Sequence, residues 1–256
     1  MKLMAKKSQL SLFLVFGIVM LIAAGFIAYL SSAQPKAEAY RENEIISTGN
    51  IPSAIYPVKL NIDICMQNAV EEAILYTGLS GGYYKVPEPK ISYFWDELPL
   101  YVINSQNKMP SKETIENEIS QYIIGKLPQC IGELKFDDLK IEAGAISANT
   151  VIGKEKVIAN AHYPLTILRY GSETKLTDFR TEVPVRLDAI YNMAENITNE
   201  QIANNGALCA DCLIDMANEN EVKIDVSIHE GSLIFTIFDN NSIIGSSEFI
   251  YGFAVD

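Results

Sequence analysis

Val222 to Phe238 reads VKIDVSIHEGSLIFTIF. Val222, Ile224, Val226 and Ile228 alternate strictly with polar residues, the period of a strand with one buried face. His229-Glu-Gly-Ser supplies a turn, and Leu233 to Phe238 returns as a second β-rich run. Asp239-Asn-Asn-Ser is a further turn signal, and Glu248 to Val255 makes the last strand of a predicted meander.

Upstream of this meander the period changes. Ile62, Cys65, Met66, Ala69, Val70 and Ala73 recur at three and four, which predicts a helix over about Pro57 to Thr77. Pro57 suits its first turn and Gly78 the residue beyond its last. Pro110-Ser111, followed by Ile115, Ile119, Tyr122, Ile123 and Leu127, predicts a second helix that ends near Pro128. A third, from about Pro184 to Ala203, places Leu187, Ile190, Tyr191, Ala194 and Ile197 on one face, and a shorter one covers Ala207 to Asn218.

The runs Ile91–Trp95 and Leu98–Ile103 read as short strands flanking Asp96-Glu97. Leu139–Ala143, Val157–Tyr163 and Leu165–Tyr170 read as strands separated by Gly144, Gly153 and Gly171. No helix interrupts that region, so antiparallel pairing is expected. Helices, strands, helices and strands in that order give an α+β class, with amphipathic helices packed on antiparallel sheet.

The N-terminus has a different character. Leu10 to Leu30 reads LSLFLVFGIVMLIAAGFIAYL and carries no charge. As a helix it is about 30 Å long, the hydrocarbon thickness of a bilayer. Lys2, Lys6 and Lys7 precede it, so the positive-inside bias places residues 1–9 in the cytoplasm and the chain beyond Ser31 outside. The predicted organisation is a basic N-terminus at 1–9, a transmembrane helix at 10–30, a stalk at 31–55 and an exported domain at 56–256. Ser31-Ser32-Ala33 offers the competing reading of a cleaved signal, against which stands an apolar region longer than the usual ~7–15 residues. Both readings export the domain.

Lys6-Lys7-Ser8-Gln9-Leu10-Ser11-Leu12-Phe13, running straight into the apolar segment, resembles the class III-type N-terminus of archaeal pilin-like precursors. In those, a basic stretch precedes Gln-x-Ser-x-Glu and cleavage falls before the Gln. Gln9 and Ser11 match, while Phe13 stands where the acidic residue is expected. More broadly the chain is similar to an uncharacterised family of archaeal single-pass membrane proteins. That resemblance rests also on Gly78-Leu-Ser-Gly-Gly-Tyr83, Arg186-Leu187 with Ile190-Tyr191 and Ala194, and Tyr251-Gly-Phe-Ala254. It implies a membrane anchor and no particular activity.

The net charge is −12, and the only charges before Gln34 are the three lysines, which leaves −15 on the remainder. So acidic a domain, with four arginines in the whole chain, is not a nucleic-acid binder. Four cysteines, Cys65, Cys130, Cys209 and Cys212, allow two disulfides in three connectivities. The pairing that keeps the close pair local, Cys65–Cys130 with Cys209–Cys212, is the expected one.

Few motifs carry chemistry. Gly78-Leu-Ser-Gly-Gly82 matches G-x-S-x-G, but a nucleophile elbow needs a strand before it, and here a helix precedes. His162 and His229 lack partners at metal-ligand spacing, and the acidic pair Asp137-Asp138 matches no calcium loop. No metal, cofactor or catalytic residue is therefore expected. Cys209-Ala-Asp-Cys212 at a helix start can perform disulfide exchange, though without the βαβ context of thioredoxin-like motifs. Tyr83, Tyr84, Tyr93, Phe94 and Trp95, with Tyr101, concentrate aromatic rings around a proline-broken loop, where they can bind a partner or cover core. Asn196-Ile-Thr and Asn240-Asn-Ser are glycosylation sequons.

The expected function is a membrane-anchored extracytoplasmic structural or interaction protein of the cell envelope. Its partners would be the bilayer, through residues 10–30, and envelope proteins or like subunits. Two alternatives are a pilin-like filament subunit, with Leu10–Leu30 in the filament core, and a thiol–disulfide exchange protein using Cys209 and Cys212.

Overall fold

Pro57 stands in the first turn of helix α1 (Tyr56–Leu79), where its missing N–H breaks no helical bond. The computed structural model describes residues 52–256 except Trp95 and Asp137, within a unit spanning Ile51–Asp256. The apolar run Leu10–Leu30, the segment Lys6–Phe13 and the stalk up to residue 51 lie outside the described residues. Among the described residues no helix is long and apolar enough to cross a membrane. Ile55, assigned from sequence to the stalk, is only 3% exposed and accepts the first amide bonds of α1, so ordered packing begins just before residue 56.

After α1 come strands β1 (Lys90–Tyr93), β2 (Asp96–Ile103) and β3 (Gln106–Asn107), then helix α2 (Lys112–Glu133). Next are β4 (Lys140–Ala143), β5 (Ser147–Ile152), β6 (Lys156–Arg169) and β7 (Ser172–Pro184), followed by α3 (Leu187–Ala203) and α4 (Ala210–Asn220). The last strands are β8 (Lys223–His229), β9 (Ser232–Ile244) and β10 (Ser247–Val255). The class is α+β. One sheet runs β1-β2-β10-β9-β8, with β3 on the far part of β2; in the other, β6 is flanked by β7 on one side and by β4 and β5 in succession on the other.

The helical hairpin α1–α2 lies between these sheets, α1 against β10 and β7 and α2 against β5. Ile62, Met66, Ile74, Ile115, Ile119, Phe235, Phe249 and Phe253 are buried at the centre of the shared core. Ile234 and Ala254, one step along their strands from Phe235 and Phe253, face the other way and meet Ile91 and Leu98. The β1–β2 hairpin thus folds across the outer face of the large sheet.

The end of α1 explains its glycine-rich sequence. Gly81 and Gly82 have φ of +54° and +84°. A Cβ on Gly81 would come within 2.6 Å of Pro99 and 2.8 Å of the Gly252 carbonyl, so a larger residue would push β10 away from the helix end. The Gly78–Tyr83 and Tyr251–Ala254 segments therefore meet in space. Tyr101 Oη donates to the Gly81 carbonyl at 2.9 Å and pairs with Tyr251 Oη at 2.7 Å, closing the junction.

Several boundaries differ from the sequence reading. α2 does not stop at Pro128: it continues to Glu133 because Leu127 and Ile131 are buried and Cys130 is tethered to α1. Tyr93 pairs with Asp96, so the first hairpin turns between those residues, and Asp96-Glu97 begin a strand. The two expected strands on either side of Pro164 are one strand, β6, with an irregularity in its pairing between His162 and Leu165. β5 and β7 did not stand out because their outward residues are polar. β2 and β10 pair in parallel, which the intervening helices make possible.

Asp239-Asn-Asn-Ser is not a turn but a bulge inside β9. Asp239 is fully buried there and accepts from Arg186 Nε at 3.1 Å, from Arg186 Nη2, from Ser242 Oγ at 2.6 Å and from the Asn241 amide at 3.2 Å. The Asp239 carboxylate in turn holds the Arg186 guanidinium charged. This ion pair fixes the start of α3 to the large sheet.

Candidate functional site

Both expected cysteine pairs are bonded. Cys65 on the buried face of α1 joins Cys130 on α2, with an S–S distance of 1.99 Å and Cα atoms 5.7 Å apart. Cys209 joins Cys212 at 1.91 Å. Cys209 is the N-cap of α4, and the Cys212 amide donates to its Sγ at 3.3 Å. That placement sets the Cys209 sulfur at the positive end of the helix, with Asp211 as the acidic residue of its first turn. Leu208 and Ile214 leave exposed apolar side chains beside the pair.

The aromatic residues separate into two groups. Tyr84 packs edge-on against Tyr122 of α2 at 5.0 Å and lies 6.1 Å from Tyr76 of α1. Glu118 anchors this turn by accepting the Tyr84 and Lys85 amides. Burial and the nearby Glu72 carboxylate push the Tyr122 hydroxyl up. Tyr83 is half-buried nearby, whereas Tyr101 belongs to the core.

Tyr93 and Phe94 form the second group, at the tip of the β1–β2 hairpin. Tyr93 reaches β8, its hydroxyl 3.0 Å from Ser227 Oγ and its ring 5.4 Å from that of His229. Phe94 packs edge-on against Tyr93 with its backbone at φ +53°, a left-handed conformation unfavourable for a bulky side chain. Its side chain is nevertheless 80% exposed, and Ile228, beside His229, is 76% exposed. Tyr93 meets Ser227 and His229 on the outer face, whereas Ile228, between them in β8 and paired with Leu233, lies on the inner side. The alternation predicts burial at Ile228, but the strand end leaves it uncovered.

The remaining candidates fall into place structurally. Ser80 of the G-x-S-x-G match is buried in the helix stop. His162 Nδ1 meets Asp178 Oδ1 at 2.8 Å, and strand register sets Ser147 on the other side of His162. Thr177 and His162 hold the Asp178 carboxyl below its usual range. This Ser–His–Asp row lies on an open sheet face, and among the described residues no hydrogen bond joins Ser147 to the ring. A nucleophile needs that bond and a set of converging donors, so the row is a hydrogen-bonded pair between neighbouring strands. Among the described residues no group of three or more His, Cys, Asp or Glu could hold a metal ion.

Both sequon asparagines are exposed, while their hydroxyl residues are not. Thr198 Oγ1 donates to the Ala194 carbonyl at 2.7 Å inside α3, and Ser242 Oγ donates to buried Asp239. Asn196 lines a cleft of about 280 Å³ between α3, the β5–β6 turn at Lys154-Glu155 and Asn220 at the end of α4. Sequence reasoning missed this cleft and the Arg186–Asp239 pair, since each depends on residues brought together from separate segments. Compared with known proteins, the chain matches no family model, no curated protein and no solved structure.

Proposed function

We propose that the protein is a membrane-anchored, extracytoplasmic interaction protein of the cell envelope, with residues 10–30 as its anchor. The observation that carries the reading is Phe94 at the tip of the β1–β2 hairpin. A phenylalanine held in a left-handed conformation and left exposed is unfavourable twice over for folding, and such features concentrate where a surface meets a partner. Cysteines paired throughout the domain support an oxidising compartment.

Protease treatment of intact cells and extraction of the full chain in mild detergent test the two halves. The domain should be cleaved from outside, and the native chain should sediment with a partner or a second copy. Phe94→Ser should release it with unchanged melting behaviour. A chain protected from protease, or one whose sedimentation ignores that substitution, refutes the corresponding half.

A second reading has one observation in its favour, the N-cap position of Cys209. Thiol–disulfide exchange through Cys209 and Cys212 would then reduce insulin in the presence of dithiothreitol, with loss of turnover in Cys209→Ser. An inactive unmutated domain excludes it.

A further inference from the structure

We infer that Asn196 carries an N-linked glycan, attached before α3 folds, whose first sugar lies in the cleft beside it. The inference rests on the extracytoplasmic reading above, because glycan transfer takes place outside the cytoplasm. Four features of the site lead to it. Asn196 begins a sequon, its side chain is exposed, it lines the cleft, and the cleft walls have the chemistry of a sugar site.

Asn192 and Asn220 supply amides, which both donate and accept as hydroxyl groups require. Asp188 and Glu155 add acceptors and Lys154 a donor. Asp188 is already held by Lys112 Nζ at 2.6 Å and by Asn192 Nδ2 at 3.4 Å, so the wall is ordered before any ligand arrives. A cleft of about 280 Å³ admits one ring and leaves the rest of a glycan in solvent. Asn240, the other sequon asparagine, is not among the residues lining it.

The fold also dictates when the modification occurs. A transferase reads Asn and Thr together, yet Thr198 is fully buried with its hydroxyl committed to the Ala194 carbonyl. The folded helix is therefore not a substrate, and the unfolded, newly exported chain is. In the transfer, a bond forms between Asn196 Nδ2 and the anomeric carbon of a lipid-linked oligosaccharide. The bond from that carbon to the lipid phosphate or diphosphate breaks, the phosphate leaves with the electron pair, and the amide gives up one proton.

The test uses the full chain expressed in its own cells, with peptide mass mapping and thermal melts of wild type, Asn196→Gln, Thr198→Ser and Thr198→Val. Asn196→Gln and Thr198→Val should abolish a sugar mass on the Asn196 peptide, and Thr198→Ser should keep it. Loss of the glycan in Asn196→Gln should lower the melting temperature by about 3 °C, the scale of a modest surface interaction. The same comparison in an Asn192→Ala background, with one wall amide removed, should show less than half that shift. An exported chain with an unmodified Asn196 overturns the proposal and leaves the extracytoplasmic reading intact. An intracellular, unmodified chain overturns both. A glycan whose stabilisation is the same with and without Asn192 overturns its placement in the cleft.

Discussion

Replacing Cys65 and Cys130 together with alanine should destabilise the Ile51–Asp256 unit far more than the same change at Cys209 and Cys212. The Cys65–Cys130 bond closes a sequence separation of 65 residues and the other a separation of 3. Freeing the unfolded chain of the first constraint should lose about 4 kcal/mol in the chain-entropy account, against less than about 2 for the second. Alanine is the better replacement because Cys65 is buried, and a serine hydroxyl there would add a desolvation cost of its own. For a unit of this size the larger loss corresponds to a fall in melting temperature of roughly 8–16 °C. Circular-dichroism melts and urea titrations of the three proteins under non-reducing conditions would measure it. The urea slope should also rise in the Cys65/Cys130 variant, since an uncrosslinked unfolded chain exposes more surface. Equal losses in the two variants, or a larger loss at Cys209/Cys212, would refute the reasoning.

Four further outcomes are expected. Arg186→Met should cost about 3–5 kcal/mol in urea unfolding, because it leaves the Asp239 carboxylate buried without its cation; a loss below about 1 kcal/mol contradicts that role. Tyr101→Phe should cost more than Tyr251→Phe, about 1–3 kcal/mol, since it strands both the Gly81 carbonyl and the Tyr251 hydroxyl; the reverse order would disprove the network. Lys156 and Arg180 hold the Glu182 carboxyl below its ordinary range, so its contribution is present above the unfolded glutamate pKa and fades as pH falls through the lower folded value. Carbon-detected titration of Glu182 should show that low midpoint, moving up in high salt because the pair lies at the surface. Phe94→Gly should leave the fold unchanged or up to about 1 kcal/mol more stable by removing a left-handed phenylalanine; a destabilised variant would mean that Phe94 supports the hairpin.

The parts of the fold visible in the sequence are those where one residue type answers to one local constraint. Ile62 to Ala73 gave the buried face of α1. Ser111 marked the N-cap of α2, where its hydroxyl accepts the Thr114 amide at 3.1 Å. Val222 to Ile228 matched β8. Where tertiary packing overrules local preference, the reading failed. Pro128 signals a helix end, but burial of Ile131 and the Cys130 bond carry the helix past it. Asp239-Asn-Asn-Ser has turn composition, yet Asp239 is a buried counter-ion for Arg186, 53 residues away, and no local pattern announces such a partner. The candidate sites divide the same way. Cysteine spacing pointed to the pairing, while the splitting of the aromatic cluster and the Asn196 cleft depended on which strands and helices became neighbours.

β10 occupies the middle of the six-stranded sheet, bonded to β9 on one side and β2 on the other, and it is the last strand in the sequence. The large sheet therefore cannot close while its final segment is still being delivered. Phe249, Tyr251 and Phe253, which fill the space between α1 and that sheet, arrive together at the end. A chain threaded across a membrane from its N-terminal side would stay open for nearly the whole passage. The large sheet would then form late, once β10 is across, and removing even part of β10 should leave β9 and β2 without the strand that joins them.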